Sequence, residues 1–208
     1  MPLVLNREFD SSATLVVWEI EDEGQMYRDA LNLSSSELGL LEKMKPFRQK
    51  EWLAKRYVLK QIFDHEVEIV KDKYGKPFIA GHDQYLSISH SHNRLAVILH
   101  TSKVGVDIQD RQQKIVRIAP KFILQEQIDR MDKASQVEQM HFFWGAKESM
   151  YKAYGKKQID FKKHLLLDDI DLSMSTMQGR LLKDDINIEY TIHYEILDNY
   201  FLVYAIEN

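Results

Sequence analysis

Phe143 to Lys156 reads FWGAKESMYKAYGK, a segment that only a helix accommodates well. It has no proline and a single internal glycine before Gly155, and its spacing predicts a helix from about Val137 to Tyr154. At about 100° per residue, Phe143, Ala146, Met150 and Ala153 share one side, and His141, Gly145, Glu148 and Lys152 share the other. The first group faces a core and the second something polar. Glu148 and Lys152 are i,i+4 neighbours, which by itself implies a surface ion pair contributing about 0.2–0.5 kcal/mol. Gly145 argues for more than that, because a mid-helix glycine costs about 1 kcal/mol against alanine and asks for a close approach to that face.

A chain of 208 residues with 44% apolar and 29% charged content is an ordinary globular one, long enough for one substantial core or two small ones. It carries no apolar run of membrane-spanning length, and its start, MPLVLNREFD, lacks the pattern of a signal peptide, so a cytosolic protein without a membrane partner is expected. The absence of cysteine fits a reducing compartment and excludes thiolate zinc sites, CxxC redox chemistry and cysteine nucleophiles. A net charge of −4 gives no reason to expect nucleic acid, and an anionic ligand would need a local cationic cluster.

Outward from the central helix, the chain reads as alternating short strands and helices. Thr14–Ile20 is a strand, followed by an acidic turn and a helical stretch over about Gln25–Leu31. Ser34 and Glu37 have capping-box spacing, and Pro46 opens a helix running to about Asp64. Val67–Val70 is a short strand, Lys73–Pro77 a turn, and Leu86–His90 pairs with Arg94–His100 across the Ser91–Asn93 turn. The second half opens with the strand Val104–Ile108, a basic segment to Lys121 and a helical stretch around Leu124–Met131. After the long helix come strands near Leu165–Leu167, Ile186–Leu197 and Tyr200–Ile206, the last two joined at Asp198-Asn199.

The halves share a motif. Trp52, Ala54, Lys55 and Lys60 repeat as Trp144, Ala146, Lys147 and Lys152, 92 residues later. A duplication would give two similar α+β halves, 1–101 and 102–208, with a ligand site between them.

Asp107 ends an apolar strand, and with Glu148 it offers two carboxylates on rigid elements, a set suited to Mg²⁺. Each alone reads as an ordinary solvated or capping residue, as does Glu126. The turn holding Lys76 lacks the P-loop frame. His90 and His92, with serines on either side of His90, could be two metal ligands without a third in frame, or could meet phosphate oxygens, as could Arg56. Asp168, Asp169 and Asp171 read as a solvated loop.

Gly75-Lys76-Pro77, Ser89-His90-Ser91, Gly105-Val-Asp107-Ile and Trp144-Gly-Ala-Lys147-Glu148-Ser-Met-Tyr-Lys152, in that order, resemble the 4′-phosphopantetheinyl transferase superfamily in its long, single-chain, pseudo-duplicated form. The resemblance spans roughly Phe47 to Gly155. It implies two pseudo-twofold-related halves, each a small, mainly antiparallel sheet on a long helix. It implies transfer of the phosphopantetheine arm of coenzyme A to a serine of an acyl- or peptidyl-carrier protein, with release of adenosine 3′,5′-bisphosphate. Asp107 and Glu148 would then hold Mg²⁺, Lys152 would neutralise the leaving phosphate, and Glu126 would help deprotonate the serine. Arg56, Lys76 and His90 would contact phosphates, with Lys43, Lys45, Arg48 and Lys50 as possible additions. The stretch from Arg111 to Lys121, with Lys114 and Arg117 between and Ile115, Val116 and Ile118 interleaved, could dock the carrier or be an ordinary amphipathic segment. Gln109 departs from the family, standing where many members have a third metal-binding glutamate, and Lys157 stands where many have a second glycine after Gly155. The rival expectation is a non-catalytic relative that binds coenzyme A or a carrier. A duplicated chain is expected to be a monomer.

Overall fold

The computed structural model describes residues 2–10, 13–20 and 24–208. The acidic turn expected at Glu21–Glu23 lies outside the described residues. Among those described, the strands form two antiparallel sheets. The first contains β1 (Leu3–Asp10), β2 (Ala13–Glu19), β3 (Ile69–Lys71), β4 (Pro77–Ile79), β5 (Tyr85–Ser91) and β6 (Arg94–His100), ordered β1-β2-β6-β5-β4-β3. The second contains β7 (Val104–Asp110), β8 (Leu165–Leu167), β9 (Thr176–Lys183), β10 (Ile186–Leu197) and β11 (Tyr200–Glu207), ordered β7-β11-β10-β9-β8. With β1 set aside, the two orders coincide: each opening strand pairs with the closing one, and the others follow in descending order. The mixed α+β architecture in two corresponding sheets agrees with the fold the sequence implied.

Helices occupy the same slot in both. Between β2 and β3 lie α1 (Gln25–Ala30), α2 (Ser35–Glu42) and α3 (Pro46–Phe63); between β7 and β8 lie α4 (Ile115–Ile118), α5 (Gln125–Arg130) and α6 (Gln136–Tyr154). The starts and stops follow from local chemistry. The Glu37 amide donates to Ser34 Oγ at 3.3 Å and the Ser34 amide to Glu37 Oε2 at 3.0 Å, the reciprocal pair that the spacing predicted for α2. Pro46 occupies the first turn of α3, where a missing N–H costs nothing. Gly155 ends α6 at φ +71°, a left-handed conformation in which glycine carries no side-chain penalty.

Strand alternation sorts the cores. Val16 and Trp18 of β2, with Leu95, Val97 and Leu99 of β6, pack on Leu53, Ala54, Val58 and Leu59 of α3. Their neighbours Leu15, Val17, Ala96 and Ile98 face the other way, onto Val104, Val106 and Ile108 of β7 and Leu202 and Tyr204 of β11. Phe201, Val203 and Ala205 turn from that inter-sheet core toward Phe143, Ala146, Met150 and Ala153 of α6. By the same alternation Gly105, Asp107 and Gln109 of β7 face α6.

Three strands and two short helical turns go beyond the sequence-based expectation: β1, β4, β9, α4 and the 3₁₀ turn Ala119–Lys121 that follows it. β1 joins the edge of the first sheet and reaches the second through an Arg7–Glu195 ion pair at 2.8 Å.

Candidate active site

β7 is an edge strand, bonded to β11 on one side only. Its other side faces β5, whose alternating serines supply what a neighbouring strand would. Ser87 Oγ accepts from the Val106 amide at 3.0 Å, Ser89 Oγ from Ile108 at 3.2 Å and Ser91 Oγ from Asp110 at 3.2 Å. This hydroxyl ladder satisfies three backbone donors that burial would otherwise leave unpaired, each at a cost of about 1–3 kcal/mol. It also brings Ser89 against Asp107.

The Gly105-Val-Asp107 turn of sequence has a packing reason. A Cβ on Gly105 would lie 1.9 Å from the Ser149 carbonyl oxygen, so α6 sits directly on the β7 backbone there. That contact sets Asp107 beside the next turns of the helix. Asp107 is 7% exposed. Its Oδ1 accepts from Lys152 Nζ at 2.7 Å and Ser89 Oγ at 3.0 Å, and its Oδ2 from Gln109 Nε2 at 3.3 Å. Lys152 Nζ also donates to Val106 O at 2.9 Å and Ser89 Oγ at 3.0 Å. The Lys152 ion pair is therefore with Asp107 and not the surface pair with Glu148 that helix spacing alone would give. Burial first, and then the nearby Asp107, push the Glu148 carboxyl above its usual range, with Lys152 acting in the opposite sense. Two crowded carboxylates on a strand and a helix are a donor set that fits a hard, oxygen-seeking dication. Among the described residues no group of three or more His, Asp or Glu converges.

The first half contributes cations at the seam. His90 projects from β5 toward α3, where Nδ1 meets Glu51 Oε1 at 3.3 Å and Nε2 meets Arg48 Nη1 at 3.3 Å. Burial lowers its proton affinity, with Glu51 opposing and Arg48, Lys55 and Lys152 assisting. Lys76 arrives from the turn before β4. Asp72 Oδ1 accepts the amides of Tyr74 and Lys76, and Gly75 adopts φ +94°, shaping a turn that points Lys76 at α6. Its stem passes where a Cβ on Gly155 would sit, 2.6 Å away, and its Nζ donates to Ala153 O at 2.7 Å. Burial first, then Lys103, depresses the Lys76 ammonium to about 8. A groove runs along this seam, lined by Tyr74, Lys76 and Ser87 from the first half and Tyr151, Lys152 and Lys156 from the second.

Asp107, Glu148 and Lys152 are thus brought together, with Lys76 along the groove, while His90 meets Glu51 and Arg48 directly and reaches this cluster only through its charge interaction with Lys152. Arg56 is not in this cluster: its guanidinium stacks 3.3 Å from the centre of the Trp52 ring and meets Glu37 at 3.6 Å. Glu126 is exposed on α5, with Arg130 as its charged neighbour. His92 lies in the hairpin turn at φ 49° and meets Asp110, so it does not share a strand face with His90. In the basic segment Ile115 is 3% exposed and packs on the α6 core, leaving Val116 exposed among Lys114, Arg117 and Lys121. Sequence reasoning missed Glu51, visible only as one charge among many, and assigned no place to Lys147. Lys147 is 3% exposed, donates to the carbonyls of Phe161 and Leu165 at 2.7 Å each, and so ties down the loop after α6.

The paired acids and their lysine on an antiparallel sheet and its long helix define a class. Residues 103–205, about half of the chain, match the model of the 4′-phosphopantetheinyl transferase superfamily. Among individual proteins, the 4′-phosphopantetheinyl transferase gsp of Aneurinibacillus migulanus is 33% identical over 111 residues. That match takes in 51% of this chain and 46% of the relative, so the chain spans about half the length of the curated relative it matches.

Proposed function

We propose that this protein transfers the 4′-phosphopantetheine group of coenzyme A to a serine of an acyl- or peptidyl-carrier protein, in a Mg²⁺-dependent reaction that releases adenosine 3′,5′-bisphosphate. One observation carries the reading: Asp107 and Glu148 share a largely buried spot with Lys152, at the seam where Lys76 arrives from the other half and His90 lies within charge reach of Lys152. In the reaction the serine oxygen bonds to the phosphorus bearing the pantetheine, and the bond from that phosphorus to the oxygen of the nucleotide phosphate breaks. Such a transfer depends on positioning and charge stabilisation more than on covalent catalysis. Asp107 and Glu148 would hold Mg²⁺, which when bound neutralises and orients the pyrophosphate oxygens. Lys152 meets the negative charge developing on the leaving phosphate. His90 and Lys76 bind phosphate oxygens, with Arg48 added through its contact with His90. Arg56, occupied by Trp52 and Glu37, supports the helix from which Arg48 and Glu51 project.

The serine proton goes to Glu126, which as an exposed residue meets only a serine presented by a docked carrier. Lys114, Arg117 and Lys121 around Val116 suit an acidic carrier surface with an apolar centre. The reading extends to a monomer at work in the cytoplasm. Among the described residues no helix is long and apolar enough to cross a membrane.

The test is intact-protein mass spectrometry of an apo carrier protein incubated with this protein, coenzyme A and Mg²⁺, with an EDTA control. A gain of one phosphopantetheine, blocked by EDTA, is expected. No gain across several carrier classes, with coenzyme A still bound, would replace this reading with a non-catalytic binder.

A further inference from the structure

Gln109 follows Asp107 by two residues, so both side chains leave β7 on the face toward α6. Its amide is held from both ends. Gln112 meets His141 Nε2 twice, its backbone N–H donating at 3.0 Å and its carbonyl lying at 3.2 Å, and the shorter contact with a fixed donor assigns that nitrogen as the acceptor. The single proton of the neutral imidazole therefore sits on Nδ1, where it donates to Gln109 Oε1 at 2.9 Å. Gln109 Nε2 in turn donates to the His141 carbonyl at 3.0 Å and to Asp107 Oδ2 at 3.3 Å. A flipped amide would set its oxygen against a carbonyl and a carboxylate, and its NH₂ against the Nδ1 proton. His141 cannot easily turn to relieve this, being 1% exposed and stacked on Phe201 at 4.4 Å and 7°. The space around Gln109 is closed further by Gly145, whose absent Cβ would lie 3.2 Å from Gln109 Nε2.

We infer that Gln109 is not a metal ligand in this protein but a donor that aims the Asp107 carboxylate, and that His141 is the positioning residue that fixes the amide in that sense. The inference rests on the metal site of the proposed function. Its consequence is a site with two protein carboxylates, the remaining positions falling to substrate and water, as Mg²⁺ readily accepts.

The test follows the His141 ring in the intact protein by ¹⁵N NMR, titrating Mg²⁺ in the presence of coenzyme A, while calorimetry records Mg²⁺ binding. The Nδ1–H tautomer is expected without metal and is expected to persist, its proton still hydrogen-bonded, at saturating Mg²⁺. If Gln109 swings its carbonyl to the metal, that proton loses its acceptor, and the disappearance of the hydrogen-bonded Nδ1–H signal on Mg²⁺ binding overturns the inference alone. If wild-type protein takes up no Mg²⁺, the metal site beneath it is what fails. His141→Leu, checked for folding by circular dichroism, is expected to weaken Mg²⁺ binding by about 10-fold, as loss of a group that orients a ligand does. An unchanged affinity in folded His141→Leu protein removes His141 from the role.

Discussion

The two long helices correspond position by position, and their differences locate the chemistry. Trp52, Ala54, Lys55 and Lys60 of α3 stand in the frame of Trp144, Ala146, Lys147 and Lys152 of α6. Both alanines are fully buried against a sheet, so the packing solution is shared. Both final lysines reach a backbone carbonyl and a carboxylate, yet with different consequences. Lys60 Nζ binds Ala30 O at 2.6 Å and Glu66 at 3.1 Å, fastening the end of α1, whereas Lys152 binds Val106 O and Asp107 at the seam. Where α6 has Glu148, α3 has Arg56; where the fourth residue of β7 is Asp107, the fourth of β2 is Val16, buried in apolar core. One scaffold thus occurs twice, and a few side chains give carboxylates to one copy and cations to the other. Neither copy holds the cluster alone.

The acids should show the asymmetry most strongly. Asp107→Ala or Glu148→Ala is expected to lower carrier modification by at least about 10²–10³-fold, the scale of losing a principal electrostatic stabiliser, with circular dichroism and melting unchanged in kind. Near-normal transfer by either variant would remove the metal reading. The matched lysines come next. Lys152→Ala should reduce kcat more than coenzyme A binding, while Lys60→Ala should cost about 1 kcal/mol, or about 2–4 °C in Tm, without changing transfer. Equal kinetic losses in the two would mean that the halves do not divide their roles in this way. The smallest effect is one of pH. With its ammonium depressed to about 8, Lys76 is charged below that pH and neutral above it, so coenzyme A affinity should fall several-fold as pH rises through about 8. Lys76→Arg, charged throughout, should lose that inflection in binding measured by calorimetry.

Much of this arrangement could be read from sequence where local rules suffice. The capping box of α2, Pro46 at the start of α3 and the spacing of α6 each act within one turn of chain, and each was found where expected. β1 could not be read so: LVLNREFD mixes polar and apolar residues at a sheet edge, with irregular register against β2. β4 is three residues opened by a proline, and β9 carries Gly179, which lowers strand propensity but makes room for Ile192 and Met150. For the cluster, spacing placed His141, Gly145, Glu148 and Lys152 on a polar face; Lys152 and Glu148 sit by Asp107 and His141 bonds Gln109, but Gly145 packs on Val203 and the His141 ring stacks on Phe201. Spacing cannot say whether polar means water or a partner 32 residues away, as Gln109 is to His141. Ile115 and Ile118 were legible as apolar but not as anchors into α6.

The serine ladder has a consequence apart from chemistry. A bare strand edge is a template on which another chain can add a strand, the usual route to edge-to-edge aggregation. β7, one of the two edges of the second sheet, would be exposed if the halves stood apart. The hydroxyls of Ser87, Ser89 and Ser91 occupy its free amides in advance. They do so without merging the two sheets into one, so the seam that gathers the charged groups also removes one strand edge as a template for pairing.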